Sequence, residues 1–205
     1  MPESIVQVTE GAGKKLHTFQ RVIGTNTVED EIVTLGEQYL ASYVSVASAT
    51  NANTANSHML QIMAGASLKV YVRRLRLFQG ATLAGAATVL DMQVFRLSTA
   101  GTGGTVITPA PYDPGDAASG ATSMTLPTVK GTETTLLQRF TMGALAAAPT
   151  AGGDATLIWE WDADRLRVKP IIIAAGTANG IAIKNITALA TATFHIVADI
   201  TEANF

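Results

Sequence analysis

Residues 192–200 of the chain read ATFHIVADI, and apolar side chains recur there at every second position. One face of an extended segment would carry Ala192, Phe194, Ile196, Ala198 and Ile200. His195 and Asp199 belong to the opposite face. A period of two residues is typical of a β-strand with one buried face.

The same alternation spreads outward over most of the chain. It recurs at residues 88–97 and 157–161, and further strand candidates are 17–23, 39–47, 59–62, 134–140, 170–174 and 180–183. Clusters of Gly, Pro, Asn and Asp separate most of them, and only 36–41 and 141–147 are compatible with a turn of helix. The pattern predicts an all-β fold, an antiparallel, jelly-roll-like β-sandwich of about ten short strands with little helix.

One strand candidate, LKVYVRRLRLFQ at residues 68–79, changes its parity in the middle. Val70 and Val72 are apolar at even positions, whereas Leu75 and Leu77 are apolar at odd positions. One extra residue turns every later side chain to the other face of a sheet. The sequence therefore predicts a β-bulge near residues 73–74, or a strand that crosses there between two sheets.

Two stretches do not fit the strand pattern. Residues 1–16 are polar with two glycines, and we expect an N-terminal arm there and a single β-sandwich domain over residues 17–205. Residues 100–122 hold three prolines and several glycines. A loop of that length within a domain is usually functional or disordered, so we expect the arm and this loop to reach neighbouring subunits.

Charge is sparse along the 205 residues. Charged residues make up 15% of the chain, with 14 Lys and Arg against 16 Asp and Glu, where about 25% is ordinary. A surface of small polar side chains can be covered by a neighbour without burying unpaired charges. Alternatively, this composition reflects many short turns and tightly packed strands.

Composition also excludes several function classes. A near-neutral balance argues against a nucleic-acid partner. The chain has no cysteine, so it has no disulfide or thiol nucleophile. No apolar run is long enough for a membrane span, and the start lacks the pattern of a signal peptide. We therefore expect no membrane partner and synthesis in the cytoplasm.

Motifs for catalysis or cofactors are weak. His17, His58 and His195 share no metal-ligand spacing, and structural roles are the better interpretation for all three. The glycines at 101, 103 and 104 are not followed by the Lys-Ser or Lys-Thr of a phosphate loop, so a turn is expected. No serine stands in a Gly-x-Ser-x-Gly elbow. We predict no enzyme activity, no catalytic residue, no cofactor and no metal site.

Acidic residues leave two alternatives open. Asp113 and Asp116, or Asp162 and Asp164, could supply oxygen ligands for calcium, although such residues are also ordinary turn formers. A glycosidase could pair two carboxylates such as Glu160 and Asp91.

Two further groups of side chains suggest binding. Lys69, Arg73, Arg74 and Arg76 form the main basic cluster. It is either a solvated edge paired with acids such as Glu29, Asp30 and Glu31, or a docking patch for an acidic partner. Trp159 and Trp161 share one strand face with Leu157. A core position is favoured for this pair, and stacking on a sugar ring is the alternative.

Three passages resemble small β-rich virion proteins of tailed bacteriophages. They are VYVRRLRLFQ (residues 70–79), GGTVITPAPYDPGDAASGAT (103–122) and KPIIIAAGTANGIAIKNITALATATFHIVADITE (169–202). The resemblance covers most of residues 58–202. It implies a jelly-roll or related sandwich on the outside of a capsid or in a tail, with a role in capsid cementing, decoration or adhesion. It offers no active-site residues.

These observations together predict a non-enzymatic virion structural protein, most simply a capsid decoration or cement protein. Its partners would be copies of itself, as a homotrimer, and the major capsid protein or another virion protein. It would be assembled into the virion in the host cytoplasm. The alternative is a carbohydrate- or receptor-binding module of a head or tail adhesin.

Overall fold

The computed structural model of the protein describes residues 18–23, 26–31, 40–80, 82, 84, 88–144 and 157–203. These belong to two units, one within Met1–Tyr39 and one within Leu40–Phe205. In the first unit, β1 (Thr18–Ile23) and β2 (Asn26–Glu31) form an antiparallel hairpin. The predicted arm over residues 1–16 lies outside the described residues, and its boundary stays a prediction.

The second unit is a β-sandwich. Its strands are β3 (Ser42–Ala52), β4 (Ser57–Met63), β5 (Lys69–Gln79), β6 (Thr88–Leu97), β7 (Thr105–Ile107), β8 (Ala110–Pro111), β9 (Thr122–Thr125), β10 (Glu133–Ala144), β11 (Leu157–Asp162), β12 (Ile171–Ile173), β13 (Gly180–Asn185) and β14 (Leu189–Ala203). A single helical turn, α1 (Ala163–Leu166), joins β11 to β12. The predicted all-β sandwich is confirmed.

The strands form two antiparallel sheets. The front sheet has the order β11-β5-β14-β3-β8, with β12 also paired to β5, and the back sheet has the order β10-β6-β13-β4-β9-β7. Four pairs are nested along the chain: β6 with β10, β5 with β11, β4 with β13, and β3 with β14. This nesting, with members of both sheets alternating along the chain, is the strand arrangement of a jelly roll.

The core lies between the sheets and follows the alternation read from the sequence. Phe194, Ile196 and Ile200 of β14 are buried in it, opposite Leu90 and Met92 of the back sheet. Each such side chain contributes about 1.5–3 kcal/mol when it leaves water. The predicted orientation of β14 is therefore confirmed. The residues that alternate with its buried side chains, such as His195 and Asp199, lie on the outer face of the front sheet.

The predicted β-bulge lies at Arg73. Asp199 of β14 is paired with Arg74, but the next residue, Ile200, is paired with Val72, so Arg73 is the extra residue. The strand stays in the front sheet, and the alternative of a crossing between sheets is wrong. The bulge also marks the boundary between two strands that pair with the outer edge of β5: β11 pairs with residues 74–78, and β12 pairs with residues 70–72.

Two local expectations differ from the structure. Residues 141–144 continue strand β10, whereas the helical turn lies at Ala163–Leu166, where a turn was expected. The long loop over residues 100–122 is partly β-structure, because β7 and β9 extend the back sheet and β8 pairs with β3. Short strands in a Gly- and Pro-rich segment carry no alternation that could have revealed them.

Candidate binding surface on the front sheet

The outer face of the front sheet brings the predicted basic cluster together with acids from other strands. Leu75 and Leu77 point into the core, so Arg74 and Arg76 point outward beside Asp199 of β14. Arg74 Nε donates to Asp199 Oδ2 at 2.6 Å, and Arg76 Nη2 donates to the same oxygen at 3.1 Å. The hydrogen bond from Arg74 to Asp199 raises the pKa of Arg74 above its ordinary value.

The bulge residue has a separate acidic partner. Arg73 Nη2 lies 2.7 Å from Asp164 Oδ1 and 2.9 Å from Asp164 Oδ2, and Asp164 belongs to α1. The partners proposed from the sequence, Glu29, Asp30 and Glu31, have side chains outside the described part. Asp164 and Asp199 pair with the three arginines of the cluster, which weakens the case for a simple docking patch for an acidic partner.

A pocket of about 320 Å³ opens beside these ion pairs. Its wall includes Arg73, Arg74, Tyr112, Asp162, Asp199 and Thr201. The Tyr112 hydroxyl donates to Asp199 Oδ1, and burial together with this hydrogen bond raises the pKa of Tyr112. We call this the arginine–aspartate pocket. Sequence reasoning found the arginines but missed Tyr112, because the loop that delivers it had no readable strand pattern.

The same outer face carries a band of apolar side chains. Leu157 of β11 is paired with Phe78 of β5, and Val197 of β14 is paired with Val46 of β3. Leu157 is 45% exposed and Val46 is 44% exposed. We call these four residues the apolar band. They lie on four neighbouring strands as two pairs in different rows, and His195 and Arg76 are the direct neighbours of Phe78 and Val197 on the adjoining strands.

A second polar network lies on the outer face of the back sheet. His58 is fully buried, and its Nε2 lies 2.9 Å from Glu133 Oε1, while Lys184 Nζ donates to Glu133 Oε2 at 2.9 Å. The other ring nitrogen of His58 contacts Gln61, whose Oε1 accepts from the Gly101 backbone at 2.8 Å. This arrangement fixes two chain segments together and fits the structural role expected for His58.

Burial and charge shift both titrating groups of that network. Burial lowers the pKa of His58, and the hydrogen bond and charge of Glu133 oppose this only in part. Burial acts to raise the pKa of Glu133, but the hydrogen bonds from Lys184 and His58 outweigh it, so this pKa lies below its ordinary value. The neutral imidazole and the charged carboxylate are therefore the favoured forms.

The remaining histidines and the glycine cluster are not brought into a common site. His195 lies on the outer face of the front sheet next to Phe78, and His17 lies outside the described residues. Gly103 has a φ of +75°, which a turn requires and which glycine adopts without strain. The expected turn at the glycine cluster is thus observed.

The tryptophans take core positions. Trp161 is 9% exposed and belongs to the core, whereas Trp159 packs against it from the edge. The Trp159 ring is stacked on Phe140 of the back sheet, with ring centroids 3.9 Å apart. Since one face of Trp159 is covered and Trp161 is buried, the structure favours the core interpretation over a sugar platform at this pair.

The acids weighed for calcium act in turns and ion pairs. Asp113 Oδ1 accepts from the Gly115 backbone at 2.8 Å, and Asp162 caps α1 by accepting from the Arg165 backbone at 3.0 Å. Among the described residues, no three His, Asp or Glu side chains come together to hold a metal ion.

The carboxylates weighed as a glycosidase pair lie on opposite sides of the sandwich. Glu160 is on the outer face of the front sheet and accepts from Arg165 Nη1 at 2.8 Å. Asp91 is on the outer face of the back sheet and accepts from Arg139 Nε at 3.0 Å. Packed sheets are about 10 Å apart, so two outer faces are too distant for one glycosidic bond.

No helix in the part of the chain that the structure describes is long and apolar enough to cross a membrane.

Comparisons with known proteins assign no family to the chain. No protein-family model matches the chain, and neither a search of curated proteins nor a search of solved structures found a match.

Proposed function

We propose that the chain is a non-enzymatic structural protein of a tailed-bacteriophage virion, most simply a capsid decoration or cement protein. The observation that carries this proposal is the apolar band on the outer face of the front sheet. Surface apolar groups that are contiguous across strands favour a contact with another protein. The charged side chains beside the band act in the same direction, because Arg74, Arg76 and Asp199 are already paired with one another before this face is covered.

The jelly-roll fold is compatible with this role but does not distinguish it from others, because one fold hosts many functions. The proposal rests instead on the surface and on the resemblance of three passages to phage virion proteins. Its partners would be further copies of the chain and the major capsid protein. Each contact would contribute in proportion to buried area, at roughly 25 cal/mol per Å² before association costs.

The test is the composition of purified virions. Phage particles from the source of this sequence are separated on a density gradient, and their proteins are identified by mass spectrometry. We expect the chain to sediment with intact particles in a fixed ratio to the major capsid protein, and electron microscopy to place it on the outer surface. If the chain stays in the soluble fraction while complete particles form without it, the virion role is refuted.

A second candidate function is a carbohydrate- or receptor-binding module. The tryptophan pair no longer favours it, since those rings pack against the core and Phe140. The arginine–aspartate pocket does favour it, because its polar groups converge on a cavity of the size that small ligands occupy.

A further inference from the structure

One buried hydroxyl of the arginine–aspartate pocket has no partner in the chain. Thr201 is 2% exposed and lines the pocket, yet its Oγ1 makes no hydrogen bond. A buried polar atom without a partner costs about 1–3 kcal/mol, and Thr201 differs from the other unpartnered buried hydroxyls of the described residues because it lines a cavity. A ligand that enters the pocket can supply that partner.

The charged side chains around the pocket favour a neutral ligand over an ionic one. Arg73 is held by Asp164, and Arg74 and Arg76 are held by Asp199. Asp162 Oδ2 also lies 4.0 Å from Arg74 Nη1, so three guanidinium groups face three carboxylates, and this balance favours neither an anion nor a cation. A neutral ligand leaves every pair intact.

Donors and acceptors nevertheless alternate over short distances along the wall. Guanidinium groups donate only and ionised carboxylates accept only. The hydroxyls of Ser42 and Tyr112 already donate within the chain and can still accept, whereas Thr201 Oγ1 can do both. Adjacent hydroxyl groups of a sugar match this mixture, because each hydroxyl donates one hydrogen bond and accepts up to two. One can accept from an arginine while its neighbour donates to an aspartate.

Tyr112 adds an aromatic surface at the rim. The residue is 56% exposed, and its hydroxyl is anchored on Asp199. An anchored ring loses little conformational entropy when a ligand packs on it. The pocket volume of about 320 Å³ lies at the lower end of the range for small-ligand sites, which suits one or two sugar rings.

We propose that the arginine–aspartate pocket binds a neutral saccharide unit, through Thr201, the paired Arg and Asp groups and the Tyr112 ring. The inference deepens the second candidate function and is independent of the virion role. The two fail separately, because sugar binding is measured on the isolated chain and the virion role on purified particles.

The experiment is saturation-transfer NMR on the full chain with the methyl glycosides of glucose, galactose, mannose, rhamnose and N-acetylglucosamine, each in turn. We expect at least one glycoside to receive saturation, and Thr201→Val to weaken its affinity by about five- to tenfold through loss of one hydrogen bond. Thr50→Val is the matched control, because Thr50 Oγ1 is also buried and unpartnered but does not line the pocket.

Three outcomes would overturn the proposal: no glycoside of the panel receives saturation, Thr201→Val binds as tightly as Thr50→Val, or inorganic phosphate displaces the bound glycoside. If Thr201→Val does not fold, Asp164→Asn takes its place, since the Asp164 side chain is 68% exposed. That variant neutralises one of the three carboxylates that line the pocket, the one that accepts from Arg73 Nη2. We expect it to weaken glycoside binding at least twofold, and unchanged binding would also count against the proposal.

Discussion

Glu202 shows how one buried carboxylate can order a loop that the sequence left without structure. Glu202 is 6% exposed at the end of β14, and its Oε1 accepts from Ser119 Oγ and from the Ala121 backbone, each at 2.7 Å. Its Oε2 accepts from the Gly120 backbone at 3.0 Å. Tyr43 adds a hydrogen bond from its hydroxyl to the Ala117 carbonyl. The residues before β9 are therefore attached to the sandwich.

We expect Glu202→Gln to lower the free energy of unfolding by about 2–3 kcal/mol, because two backbone N–H groups lose a charged acceptor. Denaturant unfolding measures the loss, and limited proteolysis should show new cleavage near residues 117–121. Ser119→Ala removes only one of the three donors and should cost about 1 kcal/mol. Wild-type stability of Glu202→Gln would contradict this account of the loop.

His58 and Glu133 predict that acid destabilises the sandwich. Below pH 6.5, the ordinary pKa of histidine, the unfolded chain binds a proton at His58 that the folded chain resists, so the free energy of unfolding falls with pH. The lowered pKa of Glu133 contributes stability that is present above pH 4.5 and is lost as the pH falls further. Lys184 and Lys130 face the same carboxylate, with Nζ atoms 2.9 Å and 3.4 Å from its oxygens.

Melting temperatures measured from pH 8 to pH 5 test this account. The wild-type melting temperature should fall below pH 6.5, and His58→Gln should flatten that part of the curve while lowering stability at pH 8. Met59→Leu, at the neighbouring buried position, controls for destabilisation without loss of a titrating group. An unchanged slope in His58→Gln would show that another group governs the acid transition.

Strand β5 shows that one inserted residue can keep the apolar side chains of both halves of a strand directed into the core. Val72 and Leu75 are both fully buried although an odd number of positions separates them. The bulge at Arg73 turns the following residues over, so that both side chains face the core. At the same point the strand that pairs with the outer edge of β5 changes from β11 to β12. The gap between those partners is filled by α1, whose Asp164 holds Arg73.

Deleting Arg73 should therefore be far more damaging than truncating it. Without the extra residue, either Val70 and Val72 or Leu75 and Leu77 must turn outward, and we expect the chain to lose its cooperative melting transition. Arg73→Ala keeps the bulge and loses a partly exposed ion pair, which costs below about 1 kcal/mol. Circular dichroism of the two variants makes the comparison, and a deletion variant that melts like wild type would contradict the parity argument.

The elements that the sequence revealed share one property, a buried face of regular period. β14, β6 and the bulge in β5 could all be predicted because their apolar residues alternate. β2, with the sequence NTVEDE, could not, since it has three acids among six residues. β7, β8 and β9 are only two to four residues long and depend on pairing with strands elsewhere in the chain.

Less of the candidate site than of the fold could be predicted from the sequence. Arg74 and Asp199 are 125 residues apart in sequence, and their contact follows from the pairing of β5 with β14, which no local pattern encodes. The signal that could have suggested it was a lone aspartate on the outward parity of an otherwise apolar strand. The core position of the tryptophan pair was interpreted correctly, but the expectation that Leu157 shares their face was wrong, because a register shift between Leu157 and Trp159 turns Leu157 outward beside Phe78.

The chain as a whole has little charge and carries the apolar band on the outer face of the front sheet, and from this we expect association. We predict a homotrimer in solution, which light scattering would report as three times the 21.4 kDa mass of the chain. Val46→Glu places a charge in the apolar band and should reduce the assembly to monomers, because an unpaired charge is costly to bury. Melting should show that this variant still folds.

Val106→Glu is the matched control for that experiment. Val106 is 62% exposed on β7 of the back sheet, so it is an equally apolar surface position away from the apolar band. The control should associate like the wild-type chain. A wild-type chain that is monomeric at micromolar concentration would refute a stable free trimer.

The nested pairing of the strands has a consequence for how the protein is made. The outermost pair joins Ser42 of β3 to Thr201 of β14, so the front sheet cannot close until nearly the whole sandwich has left the ribosome. Pairings that span so much chain form slowly, because the loop-closure entropy comes before the contacts that offset it. Before that moment β3 and β5 lack the strand that lies between them, and the face that carries the apolar band does not yet exist. A chain still under synthesis thus lacks the completed face, and we expect the association proposed for this face to begin only after β14 has taken its place.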